Sequence, residues 1–164
     1  MNADLPASLV IMLAWLAHVA NGLERSSTFS LGRLWIGRNV TPVLDTVMER
    51  DAKHNLEVAK QYYSPLKKAY KSVIDRFEET YAAYPEFTAI DEFLYLAGMS
   101  SYYLAEGKGK QKVNLKSERE KEKYAPDKLR ADAVAYLSTV VEKYPDSKYK
   151  GDAEKTLAVL KKQV

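Results

Sequence analysis

The sequence of 164 residues contains no cysteine, and this excludes disulfides, thiolate nucleophiles and every metal site built on cysteine. It contains two histidines, His18 and His54, which lie in different segments without a pattern of carboxylates around them. The motifs GxxxxGK[ST], GxGxxG, GxSxG and HExxH are also missing. We therefore expect no catalytic residues, no metal and no cofactor, and we predict that the chain is not an enzyme.

The sequence has little excess of charge of either sign. Its 25 Lys and Arg residues and 22 Asp and Glu residues are interspersed and leave a formal net charge of +3. Such a balance creates no strong field for nucleic acid, so nucleic-acid binding is disfavoured. The length suits one hydrophobic core, and we expect one folded domain with an appendage.

The sequence also lacks a hydrophobic run long enough to cross a bilayer, which takes about 20 residues. Its apolar run LVIMLAWLAHVA begins at Leu9, ends at Ala20 and is 12 residues long. The run suits the core of a secretory signal, but Asp4 and no Lys or Arg precede it. A signal, a short anchor and a buried core helix therefore remain open. Residues 26–39 contain two glycines and no period, so residues 1–40 are predicted as an apolar segment followed by a loop.

Residues 41–164 are predicted to form an all-α domain, because no stretch alternates with a period of two. Pro65 and Pro85 each disfavour helix at the residue before them. Thr88 is predicted to cap a helix whose first turn carries Asp91 and Glu92, where the helix dipole favours negative charge. That role is a better interpretation of the two carboxylates than an acid–base pair. The predicted helices are 46–63, 66–84, 88 to about 107, 126 to just before Pro145, and 147 or 151 to about 162.

The chain contains the same pattern of helix end and helix start twice, as AAYPEFTAIDEF and, 60 positions later, EKYPDSKYKGDA. A small residue, an apolar residue four positions on and a proline eight positions after that form the second half of a tetratricopeptide repeat. Leu56, Ala59 and Tyr63, and then Leu94, Ala97 and Gly98, fit the first halves of the two repeats. The pattern predicts a tetratricopeptide-like solenoid of helical hairpins with about two and a half repeats. The equivalent positions are Val73, Ile74, Phe77, Tyr81 and Tyr84 in the first repeat and Ala133, Val134, Leu137, Val141 and Tyr144 in the second.

The repeat period is about 34 residues, so the longer spacing requires an insertion, which we place at residues 107–125. The stretch GKGKQKVNLKSEREKEK carries seven Lys or Arg residues and three Glu residues, with almost no apolar side chains. This composition is typical of a solvated, mobile loop. The alternative is a basic patch for anionic lipid head groups or an acidic partner. Glu118 and Lys121 could also pair across one helical turn.

Three blocks, HNLEVAKQYYSPLKKAYKSVIDRFEETYAAYP, DEFLYLAG and AVAYLSTVVEKYPDSKYKGDAEKTLAVL, resemble the family of the outer-membrane assembly lipoprotein BamD. The resemblance implies a helical solenoid on the periplasmic face of the outer membrane, which helps pass unfolded β-barrel proteins to an insertase. Periplasmic repeat proteins of the Tol-Pal and cell-division system contain nearly the same sequence pattern around Tyr-Pro-Asp-Ser. The family pattern also includes an acylated cysteine and about five repeats, which this sequence does not show.

In folds of this type the first helices of successive repeats line a concave groove. The exposed groove side chains would be polar, aromatic and thioether groups, which suit an extended or helical peptide. We therefore expect a protein-binding adaptor of the cell envelope. A Tol-Pal-type scaffold is one alternative, and another is an accessory subunit of a membrane complex, tethered through residues 9–20. The predicted groove residues are His54, Glu57, Gln61, Glu92, Tyr95, Met99 and Tyr102.

Overall fold

The computed structural model describes residues 30–114 and 116–162, with side chains described from residue 42 onward. These residues form helices, turns and bends, and contain no β-strand. Contacts divide the chain into two units, Met1–Met48 and Glu49–Val164. The helices are α1 (Ser30–Tyr63), α2 (Tyr70–Ala83), α3 (Ile90–Ala105), α4 (Glu118–Lys123), α5 (Pro126–Lys143) and α6 (Lys150–Leu160).

The described part of the first unit is the beginning of α1, with Pro42 inside the helix. The loop predicted for residues 26–39 is therefore wrong from Ser30 onward. Each glycine costs a helix only about 1 kcal/mol, and a long helix recovers that cost because each added residue gains one hydrogen bond. The Thr46 hydroxyl donates to the Pro42 carbonyl at 2.7 Å. The apolar run of residues 9–20 lies outside the described residues, and no described helix is long and apolar enough to span a bilayer.

In the second unit, helical hairpins share one core. The end of α1 pairs with α2, α3 pairs with α5, and α6 supplies a final half repeat. Phe77 on α2 lies at the centre, with its ring centroid 5.4 Å from Phe93 and 5.0 Å from Tyr136. This all-helical arrangement confirms the predicted fold class. The core side chains with no more than 3% exposure include Ala52, Leu56, Ala59, Val73, Phe93, Leu94, Ala97, Ala133, Leu137, Val140, Ala153 and Leu160.

The two Tyr-Pro sequences form the same backbone turn. The N–H of Tyr84 donates to the Thr80 carbonyl at 2.8 Å, and the N–H of Tyr144 donates to the Val140 carbonyl at 3.1 Å. Both tyrosines leave helical geometry, with φ of −148° and −123°, because the following proline disfavours an α conformation. In each case the next helix begins five residues after the proline. The repeated sequence therefore encodes a repeated helix exit and restart.

Two predicted helix starts are wrong by a few residues. The second helix begins at Tyr70 instead of position 66, because a turn that contains Lys68 at φ 46° comes first. The N–H of Ala69 donates to the Tyr62 carbonyl at 2.9 Å and closes this turn. The third helix begins at Ile90, and Thr88 does not cap it. The Thr88 hydroxyl instead donates to the Glu49 carboxylate on α1.

The insertion packs against α2, so the prediction of a solvated, mobile loop is wrong. Gln111 donates to the Ser72 hydroxyl at 2.8 Å and accepts from the Ser72 N–H at 3.1 Å. The short helix α4 follows, and its Lys123 ammonium lies 2.7 Å from the Asp75 carboxylate. The Glu118–Lys121 ion pair that the spacing predicted is present at 3.7 Å.

Tyr124 anchors the end of the insertion. Its side chain is 5% exposed and packs in a small cluster with Ile74 and Leu129. Its hydroxyl donates to the Asp75 carboxylate. Burial and this hydrogen bond both raise the pKa of the Tyr124 phenol. No apolar period marks this stretch of the chain, because its contacts with α2 come from polar side chains and one aromatic residue after a charged run.

Candidate peptide-binding surface

The first helices of the repeats lie side by side, and polar contacts join α1 to α3. The Lys60 ammonium of α1 lies 3.0 Å from the Glu92 carboxylate of α3 and 2.9 Å from Glu57. Further along, Tyr63 stacks on Tyr103 with ring centroids 6.3 Å apart. Burial opposes the charge of Lys60, but the two carboxylates outweigh it and raise the pKa of that ammonium. Lys60 therefore bridges the two helices.

On the other side of α3, α6 packs along the same helix. The Ser147 hydroxyl, just before α6, donates to the Asp91 carboxylate at 2.6 Å. Tyr149 donates its hydroxyl to Glu92 and stacks on Tyr95, with ring centroids 4.7 Å apart and planes at 18°. The two first-turn carboxylates of α3 thus receive hydrogen bonds from the restart segment of the next repeat. Burial raises the pKa of both phenols, and the hydrogen bond to Glu92 adds to the effect at Tyr149.

Three of the predicted groove residues lie on α1. His54, Glu57 and Gln61 are all exposed. Glu57 points toward Lys60, and the other two carry no hydrogen bond or ion pair among the described residues. They leave an open polar strip beside α3.

Met99 does not match the expectation of an exposed thioether. Its side chain is 7% exposed, and its sulfur accepts a hydrogen bond from the Thr156 hydroxyl of α6 at 3.4 Å. The position faces the neighbouring helix because α6 packs against this part of α3. Met99 therefore belongs to the core and offers almost no surface to a ligand.

Tyr102 lies at the end of α3 and is half-buried. Its ring centroid lies 5.6 Å from that of Tyr103, and the Lys108 ammonium lies over both rings at 5.4 and 5.5 Å. The first lysine of the insertion therefore borders Tyr102. Such a cation–π contact contributes about 0.5–1 kcal/mol at an exposed site.

We call the surface that the other predicted residues would form the groove face. Glu92, Tyr95 and Tyr102 form its α3 side, and the exposed strip of α1 forms the other side. Sequence reasoning missed Lys60 and Tyr149, although both left a signal. Lys60 follows Glu57 by three positions, and Tyr149 lies in the repeated restart phrase.

The described residues contain no group of three or more His, Asp or Glu side chains that could hold a metal ion. An open depression between α2, α4 and α5 is lined by side chains of both charge signs. The lining residues are Glu78, Arg119, Glu122, Lys123 and Lys128.

Comparison with known families places the chain among envelope proteins. The sequence model of the YfiO family, described as an outer membrane lipoprotein, matches residues 82–164, which is half of the 164-residue chain. The match begins near the end of α2 and includes α3 to α6. No curated protein and no solved structure matches the chain.

Proposed function

The chain belongs to the YfiO family of outer membrane lipoproteins, and from that premise we propose that it is a non-catalytic, protein-binding adaptor of the bacterial cell envelope. Its role would be to hold segments of unfolded β-barrel proteins, or partner proteins of their assembly, at the periplasmic face of the outer membrane. The resemblance to BamD supplies this role.

The proposal rests on one observation, which is that the region matched by the family model includes the α3 side of the groove face. The matched region contains Glu92, Tyr95 and Tyr102, which lie on α3 and are half-buried. Two partly exposed tyrosines offer rigid, amphipathic contact area, and the carboxylate offers a polar contact that fixes register. An extended peptide laid along α3 would meet all three.

The chemistry of the groove face favours a peptide with aromatic and polar side chains. Tyr95 already stacks on Tyr149, so its ring is held in one orientation before a ligand arrives. A ring that is ordered beforehand loses less side-chain entropy on binding, which increases affinity. Peptides from the ends of β-barrel strands, which carry a terminal aromatic residue, are therefore the ligands to test.

The test is a titration of fluorescently labelled barrel-strand peptides into the wild-type chain and into a Tyr95→Ala/Tyr102→Ala double variant. We expect the double variant to bind about 2 kcal/mol more weakly, the scale of an interface hot spot. Tyr81→Ala is the matched control, because Tyr81 is 43% exposed on the outer helix α2. A wild-type chain that binds none of these peptides would refute the proposal.

Two alternatives would be recognised by the same experiment. A Tol-Pal-type scaffold would bind a folded envelope protein in place of these peptides. An accessory subunit of a membrane complex would bind its partner with Tyr95 and Tyr102 both replaced.

Charge reversal at Lys112, which does not touch the tyrosines, should leave peptide binding nearly unchanged at moderate salt, since exposed charges are screened beyond about 10 Å.

A further inference from the structure

Two lysine-rich segments that contain no acidic residue meet at one end of the repeat domain. The first segment is residues 62–72, which contain the turn between α1 and α2. The second is residues 107–114, the start of the insertion. The backbone N–H of Lys110 donates to the Lys68 carbonyl at 3.1 Å, and its ammonium donates to the Leu66 carbonyl at 2.7 Å. Lys110 and Leu66 are 44 positions apart in the chain, so only the fold makes the two segments one surface.

Leu66 projects from this surface. It is 83% exposed, which makes it the most exposed large hydrophobic side chain among the described residues. It lies in the turn between α1 and α2, two residues before Lys68 with its positive φ. A single exposed leucine is ordinary on a protein surface. What distinguishes this one is the charge around it.

Five lysines of these two segments have no acidic partner. In the described part of the chain, no carboxylate lies within 4.0 Å of their ammonium groups. Lys71 and Lys123, in contrast, form ion pairs with Glu120 and Asp75. We name the surface the Leu66 patch, and it consists of Leu66, Lys67, Lys68, Lys108, Lys110 and Lys112.

We propose that the Leu66 patch is a docking site for an anionic lipid surface, in which Leu66 enters the head-group region and the lysines contact lipid phosphates. Lysine stems can lie along apolar surface while their ammonium groups reach phosphate oxygens. Basic residues near an anionic membrane surface are attracted to it. The proposal goes beyond the peptide-binding role, because Lys108, whose ammonium lies over the Tyr102 ring, is the one residue of the patch that borders the groove face.

A bilayer fits the patch better than an acidic protein does. Protein hot spots are side chains that enter a pocket on the partner and become fully enclosed by a rim. A single leucine that is 83% exposed lacks that rim, but it suits the fluid boundary between head groups and acyl chains. Membership in a family of outer membrane lipoproteins also provides a bilayer as a neighbour.

The first experiment measures the surroundings of position 66. Because the chain has no cysteine, Leu66→Cys creates a single thiol that can carry a polarity-sensitive fluorophore. Vesicles of phosphatidylglycerol and phosphatidylethanolamine should shift its emission to shorter wavelength, and vesicles of phosphatidylcholine alone should not. Val159→Cys is the matched control, because Val159 is 45% exposed on α6. Equal shifts at both positions, or none at position 66, would overturn the proposal.

The second experiment tests the charges by flotation of the full chain with the same vesicles. Replacement of Lys108, Lys110 and Lys112 by Gln should weaken binding to anionic vesicles tenfold or more. The matched control replaces three lysines of the C-terminal end, Lys155, Lys161 and Lys162, and should change binding less than threefold. Equal losses in the two triple variants would contradict a specific patch.

Two further outcomes keep the result unambiguous. If the fluorophore at position 66 responds to a polyglutamate peptide and not to the anionic vesicles, the occupant is an acidic protein and the lipid proposal is wrong. If vesicles bind the chain through residues 9–20 alone, position 66 will show no shift, and the proposal is again wrong. Neither outcome affects the peptide titration, which contains no lipid, so the two proposals fail separately.

Discussion

Gly98 on α3 lies directly against Leu137 on α5. A Cβ atom at position 98 would be 2.8 Å from Cγ of Leu137 and 2.9 Å from its Cδ2, which is closer than van der Waals packing allows. The absence of a side chain at Gly98 is therefore what lets the two helices of the second repeat approach. Gly98 is one of the residues that fit the first half of the second repeat in the sequence pattern.

The Gly98→Ala variant should be less stable by about 1–3 kcal/mol, the usual cost of overpacking a core. Alanine favours helix over glycine by about 1 kcal/mol, so a loss of stability would show that the clash outweighs propensity. Gly151→Ala is the matched control, because a Cβ atom at position 151 on α6 would have no neighbouring atom within 4 Å. Urea unfolding measures both, and a more stable Gly98→Ala variant would contradict the close approach.

Phe77→Ala should cost about 3–5 kcal/mol and Leu137→Ala about 2–5 kcal/mol of unfolding free energy. Both side chains are no more than 1% exposed and occupy equivalent positions in the two repeats. Leu66→Ala, at an exposed position, should stay within about 0.5 kcal/mol. Denaturant titration followed by circular dichroism compares the three. If Phe77→Ala and Leu137→Ala each lower the unfolding free energy by less than about 0.5 kcal/mol, the repeat alignment is wrong.

Tyr124→Ala should release the insertion from α2. The variant removes the buried ring from its cluster with Ile74 and Leu129 and also removes the hydrogen bond to Asp75. Trypsin should then cleave at the lysines of residues 108–123 at least tenfold faster, while α5 stays protected. Val159→Ala serves as the control. Unchanged cleavage in Tyr124→Ala would show that the ion pairs of Lys71 and Lys123 hold the insertion without the ring.

Stability should fall as the pH rises above 10. Burial, reinforced by nearby Asp132, raises the pKa of Tyr136 to about 12. The folded chain holds this proton more tightly than the unfolded chain, whose tyrosine pKa is about 10. The resulting stabilisation is complete below pH 10 and disappears as the pH rises toward 12. Tyr136→Phe should therefore lose less stability between pH 10 and 12 in urea titrations, and an unchanged loss would contradict this assignment.

The sequence alone predicted the helical class and the repeat. The apolar positions around Phe77 and Leu137 recur at helical spacing before each Tyr-Pro, and a proline constrains the residue before it wherever it occurs. Both features are local, so they can be recognised without knowledge of the fold. The same locality explains why the prediction of a loop was wrong over residues 30–39, since a helix that propagates through two glycines depends on its whole length.

Site residues were predictable only where exposure follows from helix geometry. His54 and Gln61 face solvent as their repeat positions suggest, but Met99 has the same repeat-derived assignment and is buried. The difference is made by α6, whose Thr156 reaches the sulfur of Met99. Which face of α3 another helix covers depends on packing between segments that are distant in the chain.

The amino-acid sequence by itself therefore determined the helical class, the approximate helix positions within residues 41–164 and the repeated turn, because each is set by neighbours within a few positions. The tertiary structure alone decided that the charged insertion packs on α2 and that Lys110 lies beside Leu66. These two relationships join residues 48 and 44 positions apart. The energy of such contacts depends on burial and distance in the folded chain, and no local pattern of residue types contains that information.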